Sequence, residues 1–121
     1  MINRSLTEVL NSVSDVLFPS ELGSAPVSLT SVGVAGDTAL HVLTSRSDAN
    51  GVAILLRAGA AVDAVGEMGH TPLHLAVSQE NERLIRLLLS AGANPDIRSE
   101  WGITARELAG NKGSGIAALF T

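Results

Sequence analysis

The chain contains no cysteine, which excludes disulfide bridges and every role that needs a thiolate. Aromatic residues make up only 2%, although 45% of the chain is hydrophobic. An apolar content carried by Ala, Val and Leu implies thin, regular packing of small helices rather than a thick sandwich core. No run of Lys or Arg occurs: eight scattered basic residues face twelve acidic ones, for a net charge of −4 and a pI near 5.2. That balance argues against a phosphate backbone as the main partner, so no nucleic acid is expected. Long apolar runs are missing too. The best of them, VAILL at 52–56, is far too short to cross a bilayer, and no membrane partner is expected. Glu8, Asn11, Ser12 and Asp15 interrupt the opening MINRSLTEVLNSVSDVLF, which therefore does not read as a signal peptide. A cytoplasmic protein of one domain is the expectation for these 121 residues.

What the chain does have is a period. GDTALH at 36–41 returns as GHTPLH at 69–74, shifted by 33 residues. LLRAGAAVDA at 55–64 returns as LLSAGANPDI at 88–97 with the same shift, which carries Gly59 onto Gly92 and Asp63 onto Asp96. A third, degraded copy starts at Gly102, where GITARELA lines up with GHTPLHLA. Several landmarks keep one spacing, which is the signature of stacked structural repeats.

Each piece of the repeat has a physical reading. Thr71 suits a helix N-cap, and Pro72 then falls at the first helical position, where its missing N–H costs nothing. Leu73, Ala76 and Val77 form one buried stripe at helical spacing. A second helix carries Leu84, Ile85, Leu87, Leu88 and Leu89 and leaves Glu82, Arg83 and Arg86 to solvent. Gly59 and Gly92 stand just past helix ends, where a left-handed residue is wanted. In the first copy Asn50 and Gly51 weaken the second helix, which is predicted to fray or start late. In the last copy Arg106 and Glu107 suit a terminal unit whose outer face meets water. GNKGSG at 110–115 reads as the turn before a closing IAALF.

The first 35 residues do not show the repeat. Leu6, Val9, Leu10, Val13, Val16 and Leu17 are spaced for an amphipathic helix, opened by a capping box from Ser5 to Glu8 and stopped at Phe18-Pro19. A long loop follows, with a partly extended stretch over Val27 to Val32. The helix is expected to cover the open apolar end of the array. Its sharper alternative is that helix and loop join a partner site.

The pattern G-x-T-P-L-H-x-A, followed by a second helix and L-L-x-x-G-A, resembles the ankyrin repeat over about residues 36–121. The resemblance implies an all-α ankyrin-repeat solenoid. Two full repeats (36–68 and 69–101) and a degenerate C-terminal cap repeat (102–121) follow an N-terminal capping helix and loop (1–35). It also implies hairpin tips and first helices that line a concave binding face, and a histidine (His41, His74) that ties neighbouring repeats together. No catalytic role, metal or cofactor is implied.

The same residues also allow chemical readings. His70 and His74 stand four apart, and with Glu67 they define a competing reading as a metal-dependent hydrolase. His70 precedes the cap Thr71, however, so the two histidines are not expected on one helical face, and no further ligand cluster is near. GNKGSG lacks the spacing of a phosphate loop. DANG at 48–51 would need an acid at its twelfth position, where Gly59 stands. No G-x-S-x-G elbow is present.

Surface remains as the carrier of function. The resemblance assigns to the tips Val34, Ala35 and Asp37 in the first repeat, then Val65, Gly66, Glu67, Met68 and His70. The last tip takes Arg98, Ser99, Glu100, Trp101 and Ile103, while Ser45, Arg46, Ser78 and Gln79 extend the face along the first helices. Trp101 is the only tryptophan, at a place where the pattern asks for no apolar residue. The expected partner-binding set is Asp37, Arg46, Glu67, Met68, His70, Ser78, Gln79, Arg98, Glu100, Trp101 and Ile103. Trp101 serves as anchor, or alternatively folds back over the last repeat. The expected function is a non-catalytic protein-binding module, monomeric when free. Its specific form, by likeness to small bacterial ankyrin proteins, is immunity against a toxin. A structural spacer is the third reading.

Overall fold

A computed structural model describes residues 5–13, 32–33, 36–113 and 115–120. Among them lie six α-helices and no strand. They are α1 (Leu6–Asn11), α2 (Ala39–Ser45), α3 (Ala49–Arg57), α4 (Pro72–Ser78), α5 (Glu82–Ser90) and α6 (Ala105–Lys112), and the described chain closes on a 3-10 turn over Ile116–Phe120. Val16, Leu17, the Phe18-Pro19 stop, the stretch over 27–31, and Val34 and Ala35 lie outside the described residues.

The 33-residue period is written in the caps. Thr38, Thr71 and Thr104 each cap a first helix, and each closes a capping box with its third helical residue: His41, His74 and Glu107. Ser5 and Glu8 close the same box on α1, one further period upstream. Second helices end alike. Gly59 and Gly92 take φ of 95° and 92°, and the N–H groups of Ala60 and Ala93 reach back to the carbonyls of Leu55 and Leu88. These are paired Schellman endings, as the glycines predict.

Packing follows the pattern. α2, α4 and α6 form one row, α3 and α5 a second, and each first helix packs on the second helix of its own repeat. Leu40, Leu43, Leu55, Leu73, Ala76, Val77, Leu84, Ile85 and Leu88 are buried in a single core. Leu87 and Leu89 are only half-buried, on the outer side of α5. The N-terminal helix contributes Val9, Leu10 and Val13 to that core and packs against α3. Arg106 and Glu107 face water as expected of an end unit. Arg106 also stitches that end: its guanidinium donates to Asp96 Oδ1 at 2.9 Å and to the Phe120 carbonyl at 2.8 Å.

Two expectations need correction. The helix carrying Asn50 and Gly51 neither frays nor starts late: α3 has nine residues, as many as α5, and begins one period before it. Asp48 caps it by accepting from the Gly51 N–H at 2.9 Å. A Cβ on Gly51 would stand 2.8 Å from the capping Asp48 carboxylate and 3.1 Å from Leu43 Cδ1, so the glycine leaves room for its own cap and for the neighbouring helix, and these contacts outweigh its poor propensity. The GNKGSG segment is not all turn. Gly110 to Lys112 form the last turn of α6, and Gly113, left-handed at φ 68°, ends it.

Candidate interaction surface at the hairpin tips

Between repeats the chain makes three near-identical tips. The N–H of Gly33, Gly66 and Ser99 donates to the carbonyl of Asp37, His70 and Ile103 respectively, each at 2.9 Å. A tighter turn sits inside each, where Gly36, Gly69 and Gly102 donate back to Gly33, Gly66 and Ser99. The tips are zipped to one another. The Glu67 N–H donates to Asp37 Oδ1 at 2.9 Å, and the Glu100 N–H donates to the Met68 carbonyl at 3.0 Å. Gly69 is required at that second crossing: it is left-handed, and a Cβ there would stand 2.6 Å from Glu100 N.

Below the tips, His41 and His74 bolt the row to the helices. In each, Nδ1 accepts from the N–H of its cap threonine at 3.1 Å. That role leaves the ring proton on Nε2, which donates across to the next tip: His41 to the His70 carbonyl and His74 to the Ile103 carbonyl, both at 3.0 Å. Burial lowers the pKa of both rings below the ordinary histidine value. The carbonyl bonds offset this in part, and Asp37 does so for His41. Both histidines are therefore neutral fasteners.

The exposed apolar side chains gather on this row. Val32, Val65, Met68 and Trp101 are the large hydrophobic residues that stand out in solvent among those described, at 52%, 58%, 48% and 75% exposure. Val32 and Val65 are one period apart, as are Met68 and Trp101. Trp101 does not fold back over the last repeat.

Comparison with protein families matches residues 12–99 to Ankyrin repeats (3 copies), over well more than half of the chain. The chain belongs to the ankyrin-repeat family. The match starts ahead of the first repeat delimited by the sequence period and stops before the third copy. A comparison with curated proteins gives no match. Ankyrin repeats are in general protein–protein interaction modules. No helix among the described residues is long and apolar enough to cross a membrane.

The ankyrin frame divides the expected contact residues into two groups. Glu67, Met68, Glu100 and Trp101 come together, exposed, on two adjoining tips. The others are occupied or lie elsewhere. Asp37 is taken by the Glu67 N–H, and His70 is half-buried with its ring stacked on His74 at 5.3 Å. Ile103 is half-buried above the same histidine, and Arg98 donates to the Gly102 carbonyl and to Glu107 at 3.2 Å. Ser78, Gln79 and Arg46 lie at the far ends of α4 and α2. There Gln79 donates to the Ser45 carbonyl at 2.8 Å and Arg46 to the Ser12 carbonyl at 3.0 Å. These two bonds are copies of each other, one period apart.

Geometry also speaks against the hydrolase. Both ring nitrogens of His74 are engaged in the fold, and no three His, Asp or Glu residues gather among those described. Sequence reasoning missed Val32, which it placed in an extended stretch. The signal was available, since Val32 stands 33 residues before Val65.

Proposed function

We propose that the chain is a non-catalytic module that binds another protein through its hairpin tips, with Trp101 as the anchor. The observation that carries this is the segregation of exposed apolar side chains. Four large ones stand on the tips, and the most exposed, Trp101, lies outside the hydrophobic core formed by the described residues. An exposed tryptophan on a rigid, hydrogen-bonded frame is already placed for contact and loses little freedom when covered.

A capture experiment from the native cell tests the reading. Wild-type protein should retain a partner that the Trp101→Ala variant loses, with both melting at the same temperature. Loss of thermal stability with partner capture unchanged would make Trp101 a fold residue and end the proposal.

The narrower form is immunity, in which the bound protein is a toxin. The net charge of −4 favours a basic one through electrostatic steering. Expression of the chain should then protect cells from a toxin that co-purifies with it, and unprotected cells would sink this form alone.

A further inference from the structure

Charge on the tip row is unevenly settled. Its one arginine, Arg98, is already spent on Glu107 and the Gly102 carbonyl. The carboxylates of Glu67 and Glu100, equivalent positions one repeat apart, meet no cation among the described residues. Cations with no acidic partner among the described residues stand elsewhere: Arg57 on α3, Arg83 on α5 and Lys112 at the end of α6. The two free acids also flank the exposed apolar pair. Glu67 precedes Met68, and Glu100 precedes Trp101.

The two tips form one patch rather than two. The Glu100 N–H is bonded to the Met68 carbonyl, and the Glu100 stem leans back across Gly69, with Cγ 3.1 Å from where a Cβ would be. Packed helices set neighbouring repeats roughly 8–10 Å apart, a span that one long side chain and its neighbours bridge. Met68 adds a second mark. It holds a left-handed backbone at φ 58° and ψ 21°, a conformation that strains a bulky L-residue and that asparagine or glycine adopts more cheaply. Its side chain is half in solvent and is not part of the core. The hydrophobic core therefore does not call for a methionine here.

An exposed indole beside Glu100 in the chain, on a tip zipped to the one that carries Glu67, combines what a flat cation needs: an aromatic ring and carboxylates that meet no cation among the described residues. Guanidinium stacks on indole, keeps its charge at any physiological pH and offers a planar fork of donors to carboxylate oxygens. We infer that the Met68–Trp101 stretch of the tip row receives an arginine-bearing, otherwise apolar segment of the partner. The guanidinium lies on Trp101 between the Glu67 and Glu100 carboxylates, and Met68 takes the neighbouring apolar side chain. This rests on the docking reading above and specifies the chemistry of its occupant.

Trp101 is the only tryptophan, so its fluorescence reports on this spot alone. The probe is a blocked hexapeptide of alternating Arg and Leu, with the corresponding Glu/Leu peptide as control. Trp101 emission should change saturably with the first peptide and not with the second. The double variant Glu67→Gln/Glu100→Gln should bind the first at least tenfold more weakly while melting like wild type. Its backbone zips use main-chain N–H groups that the substitution leaves in place. Equal responses to both peptides, no saturable response, or a double variant as good as wild type would overturn the inference. The two levels separate cleanly against the natural partner. If Trp101→Ala loses that partner and the double variant keeps it, the docking reading stands and the arginine receptor falls. If Trp101→Ala keeps it, the docking reading itself falls.

Discussion

Two buried histidines, His41 and His74, each tie two parts of the fold together. Each satisfies its own helix cap with Nδ1 and a neighbouring repeat with Nε2, at no cost in charge. His41→Ala removes both bonds: it leaves the Thr38 N–H without its acceptor and the His70 carbonyl with the Gly66 N–H alone. Unfolding by urea should show a loss of about 2–4 kcal/mol, the combined size of an unmet buried donor, a lost bond between repeats and a cavity. A loss well under 1 kcal/mol would mean that the bolt is ornamental. The same residues set a pH dependence. Their folded pKa values are lowered, so on acidification the unfolded chain takes up protons that the folded one refuses. Their stability contribution is complete above the ordinary value of about 6.5 and is lost as pH falls below it toward the folded values. Urea midpoints should thus drop between pH 7 and pH 5, and a flat profile would contradict the neutral bolt. Asp96 and Glu107 also have lowered pKa values, Asp96 through Arg106 and Glu107 through its capping bonds to Thr104, and they act lower, in the carboxylate range. The histidine role was legible in the sequence because His41 and His74 repeat at one period. The fates of Asp37, Gln79 and Arg46 were not. Each bonds a group some 30 residues away, and local spacing carries no trace of that.

Among the elements, the ends differ from the middle in one atom type. α1 and α6 close their capping boxes with a glutamate, α2 and α4 with a histidine. A carboxylate accepts hydrogen bonds from its own cap but has no proton to give a neighbour's carbonyl. α1 is therefore held by Val9, Leu10 and Val13 and by the Arg46 bond to Ser12, without a histidine fastener. Native-state amide exchange should release α1 well before α2 or α4. Equal protection across the three would show that burial alone is enough. Helix identities, caps and endings were readable from the period, from Thr, Pro and Gly at fixed offsets, and from the apolar stripes. The strength of α3 was not, because propensity counts the cost of Gly51 and cannot see Leu43 beside it. The last turn of α6 was hidden for a like reason: Gly110 to Lys112 look like loop by composition and are helical in place.

At the scale of the molecule, the array separates duties. Its helices spend their apolar residues on one continuous core, while the tips spend theirs on solvent. The sequence already pointed to the tips through the lone tryptophan. It did not show that Met68 and Trp101 share one zipped patch, since the Glu100–Met68 bond joins backbone atoms and is indifferent to side-chain identity. Nor did it show that Arg98 is paired with Glu107 while Glu67 and Glu100 meet no cation among the described residues. The claim on which the rest depends is that Trp101 serves contact and not folding. Its most direct test is calorimetric titration of the captured partner into wild-type and Trp101→Ala protein. Affinity should fall by about 2 kcal/mol or more, roughly thirtyfold, with melting unchanged. An affinity within twofold of wild type would contradict it.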